Sequence, residues 1–125
     1  MAKELKALGL PGVTYIPVYF KPEFSKFKDD VCKGIQVFPE DLLQFRSFAV
    51  FYEIIRWVFK QYPQEFKWKQ PPYEFEHKRL PIDMINGSAI IRESIEKDRS
   101  FSEIQPKIDQ DLQNYRETVV EHLLY

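Results

Sequence analysis

The chain has one cysteine, Cys32, in 125 residues, so no intramolecular disulfide can form. A lone thiol says nothing of compartment. With no strong thiolate-forming neighbour, it reads as a small buried residue. Only two histidines occur, His77 and His122. They stand far apart with no companion at metal-ligand spacing, so the sequence points to no metal, and both read as surface residues. No charge of one sign dominates: 18 Lys and Arg stand against 19 Asp and Glu, a net charge of −1. Nucleic-acid binders usually show a basic excess, so that class of partner is not expected. No segment reaches the length of a membrane span. No charged-then-apolar signal sequence opens the chain. Internal repeats and low-complexity tracts are also missing.

Aromatic residues, by contrast, are plentiful at 16%, eleven of them Phe. They supply a bulky core and leave some over for a surface site. A chain of this length buries roughly two-thirds of its unfolded surface and needs no staple. One compact domain, 1–125, is expected.

Ala2 to Leu8 reads as the tail of a helix stopped near Gly9, which suggests a piece of a longer protein. A standalone chain starting at Met1 is the alternative. Pro11-Gly12 is a turn dipeptide. Val13 to Phe20 is dense in β-branched and aromatic residues and should be extended. Pro17 cannot donate to a ladder, so this strand should sit at a sheet edge or bulge. Lys33 to Phe38 reads as a second short strand.

Glu40 to Tyr62 carries apolar residues near helical spacing, from Leu42 through Phe45, Ala49, Tyr52, Ile55 and Phe59, and Pro63 ends it. A helix apolar over so much of its surface should be central. Glu40 and Asp41 would lie in its first turn, where negative charge suits the dipole. Phe66 to Glu76 alternates around Pro71-Pro72 and suggests two short extended pieces. Asn86-Gly87 is a turn signal, and Ser88 can cap a helix running to about Lys97. Ser100 with Glu103 fits a capping box. The last helix then carries Ile104, Ile108, Leu112, Tyr115 and Val119 on one face, and Pro106 falls near its first turn or marks a later start. Strands and helices do not alternate regularly. The expected class is α+β: a small mixed sheet packed against a long central helix, with two further C-terminal helices.

The run Phe20-Lys-Pro22-Glu-Phe-Ser25-Lys26-Phe27, followed by Cys32-Lys-Gly34-Ile-Gln36, resembles the C-terminal domain of the exo-β-N-acetylmuramidase (NamZ) family. So do Leu80-Pro-Ile-Asp83 with Asn86-Gly87, the helix holding Arg92, Ile95 and Glu96, and the ending Tyr115-Arg116 with Leu123-Leu124-Tyr125. The resemblance covers nearly the whole chain. It departs from the family pattern at Asp29, Asp30 and Lys33, where small residues or glycine are common. The resemblance implies a C-terminal domain of a two-domain bacterial glycoside hydrolase acting on peptidoglycan fragments. The partner would be the protein's own N-terminal Rossmann-like domain, which would hold the catalytic carboxylates. The ligand would be a muropeptide or amino sugar, with no cofactor, and the setting periplasmic or secreted. No catalytic residue is then expected in this chain.

Candidate chemistry concentrates in the loop between the two strands. Ser25 and Lys26 could form a nucleophile–base pair only if the lysine were buried and neutral. Lys26-Phe-Lys28-Asp-Asp is polar, so a binding role is favoured, and the rival is an ordinary polar surface loop. On the resemblance, Tyr19, Ser25, Lys26 and Gln36 line a substrate cleft, with Lys26 facing a carboxylate such as the lactyl group of N-acetylmuramic acid. Glu74 and Glu76 lie two apart in an apparently extended run, with α-carbons about 6.6 Å apart. That separation fits a glycosidase pair at roughly 5–9.5 Å. Simple alternation, with Tyr73 and Phe75 inward and the glutamates in water, explains the spacing better. Phe66-Lys-Trp68-Lys69 and His77-Lys78-Arg79 interleave aromatic and basic residues, as single-strand binders do. Interrupting glutamates favour an amphipathic surface with snorkelling lysines. Trp68 or Tyr19 could equally stack on a sugar. A protein-interaction or scaffold module is the alternative function, and a self-sufficient hydrolase using Glu74 and Glu76 ranks last.

Overall fold

The computed structural model describes residues 1–123, so Leu124 and Tyr125 of the Leu123-Leu124-Tyr125 ending lie outside the described residues. Among the described residues there are two strands and five α-helices, an α+β arrangement. The chain divides into two compact units, Met1–Trp57 and the residues from Val58 onward.

The first unit begins with helix α1, Ala2–Ala7. Gly9 follows its end at φ 67°, a left-handed position that suits glycine. Strands β1, Val13–Phe20, and β2, Cys32–Pro39, then form an antiparallel hairpin. The expected sheet was mixed. The observed one has two strands and is wholly antiparallel, because the 66–76 segment contributes no strand. Pro17 sits within β1, and with only two strands its missing N–H can face an open edge.

Register assigns the faces. Tyr15 pairs with Val37 and Pro17 with Ile35 on the side that meets the core. That core gathers Leu5 of α1, Tyr15 of β1 and Val50 of helix α2, Ser47–Gln61, with Val13, Ile35, Val37, Phe45, Ile54 and Trp57 around it. The sheet therefore packs on the long helix, as expected. Successive strand residues alternate sides, so Ile16, Val18, Phe20, Cys32, Gly34, Gln36 and Phe38 share the outer face.

Helix α2 starts seven residues later than the spacing suggested. Residues 40–46 are instead drawn onto the Pro11-Gly12 turn: the amide of Glu40 donates to the Gly12 carbonyl at 2.9 Å, and Asp41 does so at 3.4 Å. Asp41 is therefore not a first-turn residue of α2. Its carboxylate accepts from the Leu43 amide (2.9 Å) and the Gln44 side chain (2.6 Å). These two bonds, Gln44 first, hold its pKa below the usual carboxylate range. Glu53 is buried in α2 and pairs with Arg56 at 2.7 Å.

The second unit holds helices α3, Pro81–Ile85, α4, Ile90–Glu96, and α5, Phe101–Val119, then a 3₁₀ turn at Val120–His122. Pro81 opens α3 in the first-turn position, where its missing N–H costs nothing. Ser88 was expected to cap α4, but the N-cap position falls on Ala89, which makes no side-chain cap bond; Ser88, one residue earlier, accepts from the Ile90 amide at 3.1 Å. Ser100 and Glu103 form the expected capping box, with the Ser100 amide donating to Glu103 at 2.7 Å. Pro106 lies inside α5, not at its start. The apolar face of α5 is buried at Ile104 but open further on, where Leu112 and Tyr115 are exposed.

Residues 66–76 form no strand beyond an isolated antiparallel bridge between Tyr73 and Glu76. Phe66 and Trp68 enter a side-chain cluster instead: Phe66 meets Phe59 and Trp68 edge-on, at 5.3 and 4.8 Å between centroids, and Trp68 stacks on Phe59 at 6.3 Å. The Trp68 indole donates to Glu96 at 2.9 Å. Arg92 of α4 completes the assembly, with its guanidinium bonding Asp83 of α3 at 2.9 Å and Glu96 at 3.1 Å.

Candidate functional site

The hairpin end carries the candidate site. Between β1 and β2 runs an eleven-residue loop, 21–31, that begins at Lys21 and passes through Pro22. Proline fixes φ and ends the ladder there. The loop closes on itself through the Asp29 amide donating to the Pro22 carbonyl at 2.9 Å and the Asp30 amide donating to Phe27 at 3.0 Å. Lys21 and Asp29 add an ion pair at 3.5 Å. Ser25, Phe27 and Asp29 all adopt left-handed backbone, with φ of 67°, 60° and 67°. Three alternate non-glycine residues thus hold a backbone region that such residues rarely adopt, and strain of this kind concentrates at binding and catalytic sites.

The loop also presents apolar side chains to solvent. Phe24 is 79% exposed and Phe27 66%.

The four sequence-proposed residues do not form one surface. Ser25 and Lys26 sit side by side at the loop and are exposed. Tyr19 is close to them in sequence, one residue before the end of β1, and is 71% exposed. Gln36 lies opposite Ile16 on the outer face of β2, whereas Tyr19 lies opposite Lys33 on the other face. Tyr19 and Gln36 therefore point to opposite sides of the hairpin. Sequence reading missed the partner that Tyr19 does have. The Lys33 ammonium lies over its ring, 5.9 Å from the centroid. Strand alternation alone cannot find such a pair; it needs the cross-strand register.

The other sequence candidates fall away on geometry. Glu74 and Glu76 stand in a tight turn, in which the Tyr73 and Glu76 amides donate to each other's carbonyls at 2.9 and 3.0 Å. Glu74 has φ 52°, and Phe75 is 97% exposed where an inward position was expected. The Glu76 carboxylate accepts from the amides of Lys78 (2.8 Å) and Arg79 (3.3 Å) and from the Arg79 guanidinium (3.0 Å). The Lys78 bond and then the Arg79 side chain pull its pKa down to about 2. A general acid needs the opposite shift. Trp68 is fixed by Phe59, Phe66 and Glu96, which leaves Tyr19 as the exposed aromatic of the two sugar-stacking candidates. Cys32 is half-buried on the outer face beside Phe20, and His77 and His122 are exposed. Among the described residues no group of three or more His, Cys, Asp and Glu side chains is placed to hold a metal ion. No helix among them is long and apolar enough to cross a membrane.

Comparison with known proteins places the whole chain. It is 27% identical over 125 residues to the peptidoglycan beta-N-acetylmuramidase NamZ of Bacillus subtilis, and the match covers all of this chain and 28% of that protein. A crystal structure of a DUF1343 family protein from Bacteroides fragilis superposes with a TM-score of 0.74 at 25% identity, covering 99% of this chain and 32% of that one. The chain thus spans about a third or less of the length of each relative. The family model for the C-terminal part of the exo-beta-N-acetylmuramidase NamZ matches residues 1–125, and the chain belongs to that family.

Proposed function

We propose that residues 1–125 act as the C-terminal domain of a two-domain exo-β-N-acetylmuramidase-type glycoside hydrolase that trims peptidoglycan fragments. In this reading an N-terminal Rossmann-like domain supplies the catalytic carboxylates, and the present domain completes the substrate cleft with its hairpin loop. The carrying observation is the strained, solvent-facing loop of Ser25, Lys26 and Phe27 in a chain that belongs to the NamZ family throughout. Glu76, the carboxylate that its spacing offered for catalysis, is shifted downward and away from a general acid's range, which suits a domain that binds and orients. Remote binding of this kind raises the rate by holding the scissile bond in place.

Tyr19, Ser25 and Lys26 form the proposed contact surface. Gln36 reaches the same ligand only around the strand edge. The testing experiment is an amide NMR titration of the 125-residue chain with N-acetylmuramyl-β-1,4-N-acetylglucosamine. Shifts gathered in residues 19–36 are expected. Their absence at millimolar ligand would reduce the domain to a wall or scaffold. In the two-domain enzyme, Lys26→Ala should lower turnover without lowering the melting temperature, and unchanged turnover would remove Lys26 from the site.

A second reading, a protein-interaction module without a sugar site, is favoured by one observation. The outer hairpin face exposes Ile16, Phe20 and Phe38 together. Concentration-dependent association of the chain without any sugar response would support it.

A further inference from the structure

We propose that Tyr19 and Lys33 act as one recognition pair, in which Tyr19 offers its ring to a sugar and Lys33 selects sugars that carry a carboxylate. The inference rests on the proposed sugar-binding role of the hairpin and assigns its specificity to a residue outside the loop.

The argument starts from register. Tyr19 pairs with Lys33 across the two strands, so their side chains leave the same face. That face is the one that meets the core at Tyr15, Val37 and Ile35, and it emerges into solvent at its far end, where Tyr19 and Lys33 stand. The Lys33 ammonium lies 5.9 Å from the Tyr19 centroid, within cation–π range. Tyr19 nevertheless keeps 71% of its surface open, so ring face and edge remain for a ligand. The apolar face of a pyranose packs on such a ring, and an aromatic with only two rotatable bonds loses little freedom in doing so.

Lys33 is also the cation best placed to read charge beside that ring. Lys21 is committed to Asp29 at 3.5 Å. Lys26 and Lys28 ride on the loop, whereas Lys33 is set by a strand, and sites on regular elements hold their geometry more closely. Among the described residues no carboxylate pairs with Lys33, and its ammonium meets the Tyr19 ring. A carboxylate substituent on a sugar lying against Tyr19 would complete the ammonium's unfilled donor capacity. On N-acetylmuramic acid that substituent is the lactyl group, which N-acetylglucosamine lacks.

The test compares two ligands on three proteins. N-acetylmuramyl-β-1,4-N-acetylglucosamine and its lactyl-amide analogue differ by one negative charge. Dissociation constants for each are read by amide NMR titration of the 125-residue chain, of Lys33→Met, which keeps the stem, and of Lys33→Arg, which keeps the charge. The unmodified chain should prefer the free acid by about fivefold, the size of a good exposed ion pair. The preference should shrink as salt rises from 0.01 to 1 M. Lys33→Met should bind both ligands alike, and Lys33→Arg should restore the preference. A preference that survives in Lys33→Met overturns the pair while leaving sugar binding at the hairpin intact. If the unmodified chain binds neither ligand, the sugar-binding reading fails and the pair fails with it.

Discussion

Glu76 illustrates how one carboxylate can be structural where its spacing suggested catalysis. Three donors converge on it, so its folded pKa is about 2 against an ordinary 4.5. A depressed carboxylate pKa adds stability above the unfolded value, and that stability disappears as pH falls through the folded one. The melting temperature of the intact chain should therefore drop more steeply between pH 4.5 and 2 than that of Glu76→Gln, and parallel curves would remove the clamp. Glycine positions offer a second contrast at this scale. Gly12 has φ 69°, and a β-carbon there would lie 2.6 Å from the Asp41 carbonyl and 2.8 Å from the Phe45 amide nitrogen, both backbone atoms. Gly9 has a similar φ of 67° with open space around it. Gly9→Ala should cost about 1 kcal/mol for the left-handed backbone alone. Gly12→Ala should cost at least about 2 kcal/mol, because the 40–46 segment must also move. Chemical denaturation of both variants measures the difference, and equal losses would mean the close approach carries no energy.

At the scale of elements, Arg92 ties α3 to α4 and, through Glu96, to Trp68. The Asp83 bond, more than the Glu96 one, holds its pKa above the ordinary arginine value, while burial opposes it. Two carboxylates held by one planar fork are beyond a lysine's reach. Arg92→Lys should thus lose about 2 kcal/mol, close to the value of a charged hydrogen-bond pair, and a stability within error of the parent would show the network to be idle. Elements governed by local chemistry were legible in the sequence. β1 was readable to the residue because β-branched and aromatic residues fill the space between Pro11-Gly12 and Pro22. The capping box of α5 was readable for the same reason. Elements shaped by distant contacts were not. The late start of α2 depends on the Gly12 carbonyl collecting two amides from 40 and 41. The false strands at 66–76 arose because Phe66, Trp68, Tyr73 and Phe75 fall at period two, whereas Phe66 and Trp68 pack on Phe59 and Phe75 stands in solvent. Helix α3 was missed although proline in its first turn was a usable signal. The candidate site divides in the same way. The loop itself was visible from its composition, whereas the separation of Tyr19 from Gln36 and the pairing of Tyr19 with Lys33 are properties of register.

For the molecule as a whole, the decisive quantity is the apolar surface that folding leaves uncovered. Phe20 and Phe38 are 54% and 51% exposed on the outer hairpin face, and Gly34 between their positions has no atom within 4 Å of where a β-carbon would stand. Leu112 and Tyr115 are exposed along α5 at 48% and 64%. A monomer that kept these surfaces bare would associate weakly with itself or another apolar surface. Neither phenylalanine belongs to the core around Leu5, Tyr15 and Val50. Replacing both by serine should therefore change stability by no more than about 0.5 kcal/mol, the usual range for surface substitutions. In sedimentation velocity the parent chain should show a sedimentation coefficient that rises with concentration, and Phe20→Ser with Phe38→Ser should flatten that rise. If the double variant instead unfolds, the outer face is holding the hairpin together and is not available to a partner. If association persists unchanged, the contact lies elsewhere, and Leu112→Ser with Tyr115→Ser on α5 becomes the discriminating pair. A sugar response that persists at Tyr19 and Lys33 in the variant that no longer associates would separate the binding face from the docking face, because those two residues leave the side of the hairpin opposite Phe20 and Phe38.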